Sequence, residues 1–137
     1  MALPRRFLIA SAASLTALVA LAGPAAAHAE ANATAEAAGR TGVTVSLTHG
    51  CDGNPTTGLR VSLPAGATAV KGVDANGWTS TVTASEISWT GGSLAATKAG
   101  DFAFSLILSQ PAGSTVVIPT IQSCAKNTEI AWIEKDN

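Results

Sequence analysis

The 137-residue chain predicts an all-β fold, an antiparallel β-sandwich of immunoglobulin- or cupredoxin-like type with about eight short strands. Three observations carry that reading. From residue 42 onward apolar and polar side chains alternate with period two, so that one face of each segment can be buried and the other wetted. The alternating runs are rich in Thr, Val and Ile, which suit a pleated, half-buried surface. Clusters of Gly, Pro, Asn and Asp separate them at short intervals, and no stretch after residue 41 carries a useful helical apolar stripe.

Before the strands lie two segments of different character. Residues 1–27 run from Arg5-Arg6 through a long apolar stretch to Ala25-Ala26-Ala27, the pattern of a secretory signal with a small-residue cleavage site. Residues 28–40 are Ala-rich, with Asn32, Thr34 and Gly39 and no large apolar side chain to pack. That segment is expected to be mobile unless His28 is tethered. The sandwich then occupies 41–137. Its first strand is Gly42–Thr48, and Leu59–Leu63 follows, ended by Pro64-Ala65-Gly66. Ala67–Val73, Trp78–Thr83 and Ile87–Thr90 come next, then Phe102–Leu108, Thr115–Ile121 and Glu129–Ile133.

Once Arg5 and Arg6 leave with the signal, six basic residues face nine acidic ones. No basic patch with interleaved aromatics exists, so nucleic acid is excluded as a natural partner. The only apolar run long enough to consider for a bilayer is the signal itself. The product is expected to be exported, either secreted or associated with the cell envelope. Its two cysteines, Cys51 and Cys124, are then expected to form one disulfide. A blue-copper role for either is disfavoured, because the axial methionine has no candidate beyond Met1.

Catalytic constellations are scarce. Outside the signal the chain has two histidines and no tyrosine, nucleophile elbow, phosphate loop or zinc spacing. No enzymatic activity is expected. The polar cluster that stands out is Thr48-His49-Gly50-Cys51-Asp52-Gly53-Asn54-Pro55-Thr56-Thr57, a turn-rich loop with an imidazole and a carboxylate. Cleavage after Ala27 would make His28 the first residue, with its α-amine beside its imidazole, a pair of nitrogens able to chelate one metal ion. Cleavage before Glu30 or Thr34 would remove it. Nitrogen ligands from His28 with His49 and Asp52 suit Cu(II) among the common divalent ions. Without metal, His49 and Asp52 would serve only to brace the loop. Of the three tryptophans, Trp89 reads as core, whereas Trp132, beside Ile130 and Ile133, can shield a site.

Several segments together resemble the YcnI-like family of secreted bacterial copper-binding domains. They are His28, the loop His49–Gly53 leading to Thr56-Thr57, Arg60–Gly66, Gly77-Trp78, Ile87–Gly92, Phe102–Phe104, Ile118–Cys124 and Trp132–Glu134. The resemblance implies a β-sandwich binding Cu(II) through a histidine brace on the mature N-terminal histidine, here His28. It also implies a carboxylate ligand and a nearby indole, here Trp132. Two features depart from the family pattern. The family glutamate before the Thr-Thr pair is missing, leaving His49 or Asp52 to replace it. The segment after the histidine, usually a β-strand, reads Ala29-Glu30-Ala31-Asn32. The expected function is copper sequestration or trafficking, with a copper ion and other copper-trafficking proteins as partners. A metal-free immunoglobulin-like adhesion module is the alternative, and an oxidative copper enzyme using His28 and His49 a more remote one. Oligomeric state is not legible.

Overall fold

A computed structural model describes residues 29–133; the signal-like segment, His28 and residues 134–137 lie outside the described residues. Among the described residues nine strands form two antiparallel sheets; the two-sheet β-sandwich is as expected, and β1 is a strand beyond the eight that the alternation predicts. The first sheet contains β1 (Ala29–Ala35), β2 (Thr41–Leu47), β4 (Thr68–Gly72) and β7 (Gly100–Ile107), in the order β1-β2-β7-β4. The second contains β3 (Thr56–Ser62), β5 (Thr79–Val82), β6 (Glu86–Thr90), β8 (Thr120–Cys124) and β9 (Thr128–Trp132), in the order β5-β6-β3-β8-β9.

The period-two pattern translates directly into the core. Val43, Val45 and Leu47 of β2 and Phe102, Phe104 and Leu106 of β7 point inward from the first sheet. Leu59, Val61, Ile87 and Trp89 meet them from the second. Trp78 and Trp89 both set edges against Phe102, with ring centroids 5.2 and 5.5 Å apart. The indole N–H of Trp89 donates to the carbonyl of Val73 at 2.9 Å, so the most deeply buried tryptophan leaves no donor unpaired. Trp89 is core, as its sequence context predicts.

Two expectations are corrected. The Ala-rich segment is not loose: β1 pairs residue for residue with β2, from Ala29 opposite Leu47 to Ala35 opposite Thr41. The main chain supplies this ladder, which is why side-chain composition did not announce it. Its exposed Ala31 and Ala33 border a half-open apolar cavity of about 110 Å³, lined also by Val43, Phe104, Leu106 and Ile118. The predicted strand Thr115–Ile121 begins only at Thr120 and runs on to Cys124. Pro119 has no N–H for a ladder, and its carbonyl instead accepts from the Ser62 N–H at 2.8 Å.

Candidate metal centre

The loop between β2 and β3 carries the chain from the first sheet to the second, and four separate restraints hold it. Cys51 and Cys124 form the expected disulfide, with Cα atoms 5.8 Å apart, tying the loop to the end of β8. Cys51 and Asn54 exchange backbone hydrogen bonds at 3.0 and 2.7 Å across Asp52-Gly53. Both central residues have positive φ, 42° and 82°, the geometry of a type I′ turn that favours Asp-Gly. Gly50 donates its N–H to the carbonyl of Ala96 at 2.9 Å. A Cβ on Gly50 would stand 2.6 Å from Ala96 Cα, so only glycine permits this approach.

His49 lies half-buried between these anchors. Its Nδ1 is 2.8 Å from the carbonyl oxygen of Gly50. A carbonyl only accepts, so Nδ1 carries the proton and, in the neutral ring, Nε2 carries the lone pair. That arrangement fits a metal ligand, because a backbone partner on one nitrogen fixes the tautomer that leaves the other able to coordinate. Asp52 sits exposed at the tip of the type I′ turn, three positions after His49. Its placement follows from turn chemistry, and its carboxylate stands in solvent.

The fourth restraint comes from a residue the sequence reading did not single out. Gln122, on β8, is 1% exposed. Its Nε2 donates to Thr56 Oγ1 at 2.7 Å and to the carbonyl of His49 at 3.5 Å. Its Oε1 accepts the indole N–H of Trp132 at 3.2 Å. Thr56, fully buried, lies at a bulge where β3 places two residues against one of β8, between the Thr56–Cys124 and Gly58–Ser123 pairs. Its hydroxyl is 3.8 Å from Cys51 Sγ, and since a disulfide sulfur has no proton, the hydroxyl is the donor. The structure therefore joins His49, Trp132 and the Cys51–Cys124 bridge through one buried amide.

Inward-facing period two counted back from Cys124 would have found Gln122, because a disulfide to the loop commits Cys124 to the interior. His28 lies outside the described residues. Ala29, which follows it, registers with Leu47, two residues before His49. Among the described residues, no three His, Cys, Asp or Glu side chains converge as a metal-holding group. Also among them, no helix is long and apolar enough to cross a membrane. A buried disulfide is consistent with an extracellular location.

No curated protein matches the chain. Among solved structures it is similar to an uncharacterized protein from Nocardia farcinica whose crystal structure reveals an immunoglobulin-like fold. The TM-score is 0.69 at 22% identity, covering 80% of this chain and 86% of that one. The likeness extends to the fold alone. The family described as a domain of unknown function, DUF1775, matches residues 28–86 and 81–137. The first match opens at His28, and the two together take in the nine strands of the described residues. The chain therefore belongs to the DUF1775 family, and its sandwich is immunoglobulin-like.

Proposed function

We propose that this protein is an exported Cu(II)-binding domain that sequesters the ion or passes it to other copper-trafficking proteins, without catalytic turnover. In this reading a chain beginning at His28 offers its α-amine and imidazole, and His49 adds Nε2. Asp52, close by in sequence on an exposed turn, is the candidate carboxylate ligand. Trp132 limits access of water to the ion. The observation that carries the reading is the Nδ1–Gly50 hydrogen bond of His49, which presets the coordinating tautomer in a loop fastened on four sides. Support also comes from the family match opening at His28 and from strand β1, which has the extended form expected after a brace histidine.

The test begins with the intact mass of the exported protein, followed by Cu(II) titration against a competing chelator. A chain starting at His28 should bind one equivalent tightly, and His28→Ala should lose that binding while retaining the fold. A chain that starts at His28 and shows no saturable binding sinks the proposal. A melting temperature indifferent to Cu(II) would then favour the metal-free adhesion module, since a ligand bound only by the native state must raise stability.

A further inference from the structure

We propose that Gln122 is a positioning residue for the copper site, setting the indole of Trp132 and the backbone of His49 in fixed relation to each other. The inference rests on the copper-binding reading above. Its starting point is a buried side chain that packing alone does not explain. An amide placed in the sandwich interior must replace every hydrogen bond it gave up to water, whereas Leu or Met would fill the same space with no such demand.

The orientation of the amide follows from its partners. An indole N–H can only donate and a backbone carbonyl can only accept. Oε1 must therefore face Trp132 Nε1, and Nε2 must face His49. Thr56 Oγ1 accepts the shortest of these bonds, at 2.7 Å, and its own proton is turned to Cys51 Sγ, so the amide cannot flip without breaking three contacts. This makes Gln122 a rigid bracket between β9, β3 and the segment leaving β2. His49 is then held at both ends of its residue: its carbonyl by Gln122 and its ring by the carbonyl of Gly50. The partner on the ring itself is the Gly50 carbonyl, and loss of such a partner typically lowers metal affinity about 10–100-fold. Gln122 acts one step further out, on the backbone that carries the ring, so the low end of that range is expected.

The experiment compares wild type, Gln122→Met, Trp132→Phe and the double variant, each beginning at His28 and with its disulfide intact. Gln122→Met keeps the length of the side chain and removes its hydrogen bonds; Trp132→Phe removes the N–H that Gln122 accepts. In the metal-free proteins, exchange of the Trp132 indole proton is followed by NMR. Wild type should protect it, and Gln122→Met should release it. With Cu(II), Gln122→Met should bind about tenfold more weakly with an altered electron paramagnetic resonance spectrum, and the two substitutions should be non-additive. A purely structural glutamine would lower the melting temperature and leave the spectrum of the bound ion unchanged, which would overturn the inference. Should Gln122→Met not fold, Trp132→Phe decides: a copper spectrum and affinity equal to wild type overturn it. Absence of Cu(II) binding by wild type would instead defeat the underlying reading, and the positioning role with it.

Discussion

Gly50 shows how much a single residue contributes to the loop. The missing Cβ lets its backbone lie against Ala96, and the neighbouring His49 and Cys51 inherit that placement. Gly50→Ala should destabilise the protein by about 1–3 kcal/mol, the usual cost of overpacking, measurable by urea unfolding. It should also weaken Cu(II) binding if His49 is a ligand. Asp74 presents a simpler electrostatic case. Its carboxylate accepts from the backbone N–H of Ser80 at 2.8 Å and from its hydroxyl at 2.7 Å, and these bonds hold its pKa below the usual carboxylate value. A depressed carboxyl pKa stabilises the fold above the unfolded value, and the contribution fades as pH falls through the folded value. Asp74→Asn should therefore lower the melting temperature slightly at neutral pH and converge on wild type in acid, below about pH 4, which flattens the acid side of the profile. Because the group is fully exposed, the effect should be small. Gln122 marks the limit of what residue types reveal. A glutamine between Ile121 and Ser123 reads as a surface position, yet β8 buries Thr120, Gln122 and Cys124 and turns Ile121 only partly inward. The disulfide and the hydrogen bonds of the buried amide, rather than hydropathy, choose which face of that strand is inside.

Strands β2, β3, β6 and β7 were legible because each owes its place to large apolar side chains at alternate positions, such as Val43, Val45 and Leu47. Strand β1 owes its place to main-chain hydrogen bonds, and its alanines, exposed from Ala31 onward, leave no trace in a pattern of hydrophobicity. An edge strand held in this way, above an apolar cavity, should be among the first to open. Amides of Ala31 and Ala33 should accordingly exchange faster than those of β2 and β7 in hydrogen-exchange measurements. Ala33→Val, which extends apolar volume at the cavity wall, should slow that exchange and add about 1 kcal/mol of stability. A loss of stability instead would mean the cavity cannot admit the added methyl groups.

At the scale of the molecule, the two sheets meet over a core of aromatic and branched side chains, and the Cys51–Cys124 bridge closes 73 residues of chain. Replacing both cysteines by serine should cost on the order of 4 kcal/mol in the chain-entropy account, read as a lower urea midpoint. The fold class and the disulfide were readable because each follows from a repeated pattern or a fixed pairing. The convergence of His49, Gln122 and Trp132 was not, since it depends on the pairing of β8 with β9 and on where the loop after β2 lies against them. The register of β1 carries a further consequence for how such a chain must be made. With no bulge between Ala29 and Ala35, every residue of the strand has an assigned rung opposite β2. Deleting one residue within it would either turn Glu30 and Asn32 toward the interior or draw everything upstream along by about 3.3 Å. Such a strand works as a ruler: its count of residues is under tighter constraint than their chemistry, which is why seven residues dominated by alanine suffice.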